Sequence, residues 1–260
     1  MRRSFALIAA SALLLAGCAS QQLKGTVDLG LVIERASGHV TLVNTSTRKA
    51  YDRIEGLGDL SHASAVYSRD GRYAYVFGRD GGLTKIDLLQ ARIVKRVIQA
   101  GNSIGGSISQ DGRIVVAQNY APGGIKAFDA ESLELLSEVP AEYAPGKFSK
   151  VVGLADAQGH KFAYALFEGD EIWVTDFSNP RQPTTQRFPA GNQPYDGLVT
   201  PDGRYFMAGL YGEDGVALHV VDGQHGRVAV TQQGDAQQIT GLRALVDGPG
   251  AELTSGRHDR

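Results

Sequence analysis

The chain has 260 residues but a single cysteine, one tryptophan and two methionines. One cysteine excludes a disulfide framework and any cysteine cluster for zinc or iron–sulfur. No Cys-x-x-Cys-His occurs, so any heme would be held non-covalently. An excess of charge of one sign is also missing. There are 26 basic and 28 acidic residues, a formal net charge of −2, which leaves no electrostatic footprint for nucleic acid. Helical periodicity is absent beyond the first residues. The glycine-rich stretches 78–82 and 101–106 are not followed by a helix pattern, which removes a dinucleotide-binding loop. What the chain does have is glycine, 33 residues of it, within a composition that is 42% hydrophobic and 21% charged. That is a globular composition with many turns. The length suits one large domain or a repeat array.

Residues 1–18 read MRRSFALIAASALLLAGC. Arg2 and Arg3 form a positive start, residues 5–15 a short apolar core, too short to span a bilayer as a mature helix. Leu15-Ala16-Gly17-Cys18 resembles a bacterial lipobox. The expectation is a lipoprotein signal over 1–17, cleaved before Cys18, whose thiol would carry the lipid, with a tether over 18–26. The alternative is a plain secretory signal with an incidental cysteine. Acyl chains anchor by apolar burial, so the segment predicts a periplasmic protein lipid-anchored to a membrane.

The body repeats. Ser68-Arg69-Asp70-Gly71-Arg72-Tyr73 recurs as Ser109-Gln110-Asp111-Gly112-Arg113-Ile114 and as Thr200-Pro201-Asp202-Gly203-Arg204-Tyr205. Asp156-Ala157-Gln158-Gly159-His160-Lys161 is a degenerate copy between them. A second mark is an apolar run that ends in aspartate, at Asp87, Asp129, Asp176 and Asp222, with Asn44 in the corresponding earlier place. Strands rich in Val, Ile, Tyr and Phe, bounded by Asp-Gly turns, are hairpin signals. Four short strands in roughly 45 residues make one β-propeller blade. Five units begin near residues 27, 62, 103, 148 and 193. The predicted architecture is an all-β propeller over 27–222 with an irregular tail over 223–260, in which His225 and His258 have no assigned role. The turn aspartates read as turn chemistry, because glycine supplies positive φ and aspartate bonds its own turn amides.

A function on a repeat scaffold shows in residues the repeat does not need. His62 lies at the entry to an innermost strand; by itself, such a histidine is more often a turn or core residue. Its neighbours carry more. Gly58-Asp59-Leu60-Ser61-His62, Tyr73-Ala74-Tyr75-Val76-Phe77-Gly78-Arg79-Asp80-Gly81-Gly82, Asn119-Tyr120, Gln193-Pro194-Tyr195-Asp196-Gly197 and Ala208-Gly209-Leu210-Tyr211-Gly212 stand in order along the chain. Together they resemble the heme d1 domain of cytochrome cd1 nitrite reductase and, more closely, the NirF family of heme d1 biosynthesis proteins, over roughly residues 25–222.

The resemblance implies an eight-bladed propeller of the cytochrome d1 type, of which about five blades are present here, unclosed. It implies heme d1 or dihydro-heme d1 as a non-covalent ligand. His62 becomes a heme-iron ligand, and imidazole suits that metal. Arg79 and Lys150 would meet the carboxylates of the macrocycle, for which guanidinium forks are suited. Tyr120 would stack on the macrocycle or bond to its edge; as a plain propeller aromatic it would do neither. Tyr195 and Asp196 stand where the reductase has a distal histidine, so the resemblance implies an acid–base set other than that of nitrite reduction. The implied activity is dihydro-heme d1 dehydrogenase, the last step of heme d1 biosynthesis, which turns a propionate into an acrylate for maturation of cytochrome cd1 nitrite reductase in denitrification. Asp196 or Tyr195 would be the base. Partners would be dihydro-heme d1, the nitrite reductase, other heme d1 maturation proteins and an outside electron acceptor. A non-catalytic heme d1 carrier and an interaction-scaffold lipoprotein are the competing readings. Against the family's pattern, the repeat grammar stops after Asp222. The chain therefore reads as C-terminally shortened, and a pocket that needs every blade would be incomplete, which threatens activity.

Overall fold

The computed structural model describes Thr26, residues 28–221 and the backbone strand 229–232. Residues 1–25, with Cys18, residue 27, Asp222 and the tail apart from 229–232, with His225 and His258, lie outside the described residues. The described part of the tail is a strand paired with the fifth sheet, where the repeat suggests irregular chain. Within them every regular element is a β-strand. The first sheet holds β1 (Leu29–Glu34), β2 (His39–Asn44) and β3 (Lys49–Ile54). The second holds β4 (Ser64–Tyr67), β5 (Tyr73–Phe77), β6 (Gly82–Asp87) and β7 (Arg92–Ile98). The third holds β8 (Asn102–Ile108), β9 (Ile114–Ala121), β10 (Ile125–Asp129) and β11 (Leu135–Val139). A small hairpin of β12 (Glu142–Ala144) and β13 (Lys147–Phe148) follows. The fourth sheet holds β14 (Val151–Ala157), β15 (Lys161–Leu166), β16 (Glu171–Asp176) and β17 (Thr184–Pro189). The fifth holds β18 (Pro194–Val199), β19 (Tyr205–Leu210), β20 (Gly215–Val220) and β21 (Ala229–Gln232).

Each sheet is an antiparallel meander, and the innermost strands stack in sequence: β4 on β8, β8 on β14, β14 on β18. These are propeller blades, and among the described residues none of the sheets closes on itself. The all-β expectation is met, with two departures. β2 ends at Asn44 as β6 ends at Asp87, so β1–β3 correspond to the second, third and fourth strands of a blade, without an innermost strand among the described residues. The β12–β13 hairpin is an insertion between the third and fourth sheets that the repeat spacing did not reveal.

Blade packing follows from the period of two along a strand. On β5, Ala74 and Val76 enter a core with Val40 and Leu42 of the first sheet, while Tyr75 and Phe77 enter one with Ile108, Val115 and Ala117 of the third. On β15, Phe162, Tyr164 and Leu166 pack with Val116 and Ala127, whereas Ala163 packs with Phe206 and Ala208. One apolar cluster thus seals each blade-to-blade interface. Each large side chain so buried contributes about 1.5–3 kcal/mol.

The turn reading of the repeat marks also holds in detail. Gly71, Gly112 and Gly203 have φ of +70°, +75° and +71°, and Gly159 in the degenerate copy has +71°. Asp70, Asp111 and Asp202 each accept the amide two residues on, from Arg72, Arg113 and Arg204 at 3.1 Å. At the strand ends, Asp87 accepts the amides of Leu89 and Gln90, and Asp129 those of Glu131 and Ser132.

Candidate functional site

The turn that joins the second and third strands of each blade, together with the start of each innermost strand, forms one end of the stack. Arg79 follows β5, Tyr120 lies at the end of β9, Phe167 and Glu168 follow β15, and Tyr211 follows β19. Lys150 precedes β14, and Tyr195 lies near the start of β18. The innermost strands are irregular here. β8 shifts register between Asn102 and Gly105, β14 between Val152 and Ala155, and β18 between Pro194 and Gly197. Such bulges break the strict alternation of side chains and re-aim them. At Gly153, with φ of +60°, a Cβ would stand 2.6 Å from the Tyr195 carbonyl, so β14 and β18 approach backbone to backbone where the bulge falls.

The result is an aromatic and cationic cluster. The Tyr120 and Tyr195 hydroxyls lie 3.1 Å apart. The Arg79 guanidinium carbon stands 5.7 Å and the Lys150 ammonium 5.9 Å from the Tyr120 ring centre, both within cation–π reach. Lys150 also lies 4.1 Å from the Phe167 ring. Phe167 meets Tyr195 edge-on at 5.6 Å, and Tyr211 closes the group at 5.8 Å from Phe167 and 6.0 Å from Tyr195. Tyr211 is 75% exposed, whereas Tyr120, Phe167 and Tyr195 are half-buried.

The two cations are not equivalent. Lys150 pairs with Glu168 at 2.8 Å, and Glu168 also accepts the Lys150 amide at 2.8 Å and the Ser149 hydroxyl at 3.0 Å. Burial pushes the Glu168 carboxyl up, but these donors outweigh it and hold it below the usual range. Arg79 has no carboxylate ion pair among the described residues. Its charge helps keep Asp59 ionised, after the larger effect of the Ser61 amide and hydroxyl. Burial, then the Tyr195 hydroxyl, raise the Tyr120 phenol well above its ordinary value, against the pull of Arg79; the Asp196 charge adds to the rise.

His62 sits in an exposed turn just before β4. The pairing Ser64↔Phe77 brings that turn alongside the turn after β5, and the Arg79 amide donates to the Asp59 carbonyl at 2.7 Å. His62 and Arg79 therefore share one end of one blade. The imidazole has no hydrogen bond or ion pair among the described residues. The structure thus brings Arg79, Tyr120, Lys150 and Tyr195 into contact, with Asp196 exposed beside them and His62 at the same end. Sequence reasoning passed over Phe167 and Glu168 and gave Tyr211 no role. The signal was available: all three lie in the strand-two to strand-three turns of later blades, the position that supplies Arg79 in the second.

These residues test the fit of a flat, polycarboxylate ligand. A guanidinium and an ammonium beside aromatic rings, with an imidazole at the same end, Arg79 and His62 being without an ion pair among the described residues, have the donor set for one. Fold and site together define a β-propeller whose turn end carries an aromatic and cationic cluster.

The profile described as Cytochrome D1 heme domain matches residues 24–247. The chain belongs to the cytochrome D1 heme domain family. Among its relatives, Protein NirF of Pseudomonas aeruginosa is 60% identical over 78% of this chain and 53% of the relative. Protein NirF of Stutzerimonas stutzeri is 58% identical over 84% of this chain and 56% of the relative. Dihydro-heme d1 dehydrogenase of Pseudomonas aeruginosa is 31% identical over 70% of this chain and 37% of the relative. The chain thus spans about half the length of the NirF relatives it matches. Of solved structures, dihydro-heme d1 dehydrogenase NirN in complex with DHE superposes with a TM-score of 0.72 at 27% identity, covering 80% of this chain and 45% of that one. The propeller domain of Cps50 (Swd1) from Myceliophteria thermophila shares the fold, with a TM-score of 0.61 at 11% identity over 78% of this chain and 70% of that one.

Proposed function

We propose that the chain acts in heme d1 biosynthesis and binds dihydro-heme d1 at the turn end of its blades. The observation that carries this reading is the convergence of Arg79 and Lys150 on Tyr120, at the blade end that also carries His62, unpaired among the described residues. Arg79 and Lys150 would hold peripheral carboxylates, Tyr120, Phe167 and Tyr211 would face the macrocycle, and His62 would ligate its iron. The reaction is a dihydro-heme d1 dehydrogenation. Loss of two hydrogens from a propionate forms a carbon–carbon double bond and releases two protons and two electrons. Asp196, or Tyr195 in its phenolate form, takes one proton, solvent the other, and an electron acceptor outside the chain takes the electrons. The product would serve maturation of cytochrome cd1 nitrite reductase. The proposal sites the protein in the periplasm, held to a membrane through a lipid on Cys18; loss of lipid labelling in Cys18→Ser tests that part.

A second reading, a non-catalytic carrier of the same macrocycle, is favoured by one feature. The Tyr120 and Tyr195 hydroxyls satisfy each other, and Asp196 is exposed. One experiment separates the two. Anaerobic dihydro-heme d1 is incubated with the protein and a one-electron acceptor, and the visible spectrum is followed. Conversion to heme d1 that slows in Asp196→Asn or Tyr195→Phe supports catalysis. A binding shift without conversion supports the carrier. No spectral shift at all, or one unchanged in His62→Ala, overturns heme binding through His62.

A further inference from the structure

Three glycines of the His62 and Arg79 motifs crowd around one ion pair. Asp80 Oδ2 accepts from Arg96 Nη2 at 2.5 Å, and Asp80 Oδ1 accepts the Gly82 amide at 2.9 Å. The Asp59 amide donates to Asp80 Oδ2 at 3.4 Å, and Arg96 Nε donates to the Leu57 carbonyl at 3.1 Å. A Cβ on Gly58 would stand 2.2 Å from Asp80 Oδ2, one on Gly78 2.8 Å from Asp80 Oδ1, and one on Gly82 2.5 Å from Arg96 Nη2. Only glycine leaves room for the pair at these places.

The pair therefore joins two pieces of irregular backbone. One is the segment between β3 and β4, anchored on its apolar side by Leu57 and Leu60, both 1% exposed. It ends in the turn that carries His62, where the Ser61 amide is tied to Asp59 Oδ1 at 2.8 Å. The other is the turn that carries Arg79. Both side chains of the pair are half-buried, at 33% and 22% exposed, so salt screens them less than a surface pair.

Resting on the functional reading above, we propose that Asp80 and Arg96 are positioning residues. They hold His62 and Arg79 at the spacing at which imidazole meets the iron while guanidinium meets a peripheral carboxylate. Groups that orient a metal ligand without touching the metal commonly carry about 10- to 100-fold in affinity.

The test is an anaerobic spectral titration with heme d1 of the wild-type chain, His62→Ala, Asp80→Asn and Arg96→Lys, with and without added imidazole. Thermal midpoints are measured in parallel. Arg96→Lys keeps a charge opposite Asp80 but loses the bond to Leu57, so it stands in should Asp80→Asn fail to fold. The expected result is binding about 10- to 100-fold weaker in either variant. Added imidazole is expected to restore the wild-type band positions in these variants and in His62→Ala alike. A purely structural role would lower the thermal midpoint without producing an imidazole response. Wild-type band positions in both variants, unaffected by imidazole, overturn this inference alone. A wild-type spectrum that does not depend on His62 overturns the functional reading and this inference with it.

Discussion

The Tyr120 hydroxyl lies 3.1 Å from that of Tyr195, across 75 residues of chain and two blades. The contact joins the end of β9 to the bulged start of β18, and it links the third blade to the fifth. Arg79 and Lys150 approach Tyr120, while Phe167 and Tyr211 approach Tyr195.

A double-mutant cycle of Tyr120→Phe and Tyr195→Phe, read by chemical denaturation, should give a coupling of about 0.5–1.5 kcal/mol, the worth of one hydrogen bond. The raised Tyr120 phenol also has a pH consequence. The folded state keeps that proton after the unfolded state has lost it, so its contribution to stability is complete below about pH 10 and falls as pH rises further. Tyr120→Phe should flatten this alkaline decline.

On the proposed reading, Arg79→Ala should weaken heme d1 binding more than Lys150→Ala does. Lys150 must leave Glu168 to meet a ligand carboxylate, whereas Arg79 leaves no ion pair behind. A charge-assisted hydrogen bond is worth about 1.5–3 kcal/mol, roughly a tenfold to hundredfold change in dissociation constant. The dissociation constant measured across a salt series checks both the order of the two variants and the electrostatic origin.

His219 on β20 is fully buried, stacks on Phe188 at 3.7 Å between ring centres, and has neither ring nitrogen hydrogen-bonded among the described residues. Burial pushes it down to about 4. The unfolded chain therefore takes up a proton near the ordinary histidine value while the folded chain stays neutral. Stability present above about pH 6.5 is lost as pH falls toward 4, on the order of 3 kcal/mol. His219→Leu should move the midpoint of acid unfolding to lower pH.

Gly81→Ala should cost clearly more stability than Gly146→Ala. Both glycines have φ between +70° and +80°, so each variant carries a strain of about 1–2 kcal/mol. At Gly81 the added Cβ would also stand 1.8 Å from the Ala100 carbonyl, whereas at Gly146 nothing lies within 4 Å. Denaturant midpoints of the two variants isolate the cost of the clash.

Much of this protein is local and so was readable from the chain alone. The Asp-Gly turns at 70–71, 111–112 and 202–203 use glycine's positive φ and an aspartate that bonds its own turn, and neither needs a distant partner. The alternation on β5 and β15 states which side chains face each neighbouring blade. The repeat thus determined the all-β propeller class, and the motifs around His62, Arg79, Tyr120, Tyr195 and Tyr211 carried the resemblance to the heme d1 proteins.

What the tertiary structure alone decided is which of those residues meet, and which are already paired. That Lys150 is already paired depends on Glu168, which comes from a neighbouring turn and carries no motif. That Tyr195 reaches Tyr120 depends on a bulge in β18, and a register shift leaves no periodic mark in the sequence. The need for glycine at 58, 78 and 82 likewise makes sense only once Asp80 and Arg96 are seen between them. Turns and strand faces are set by neighbours along the chain, whereas ion pairs, ring contacts and close backbone approaches are set by neighbours in space.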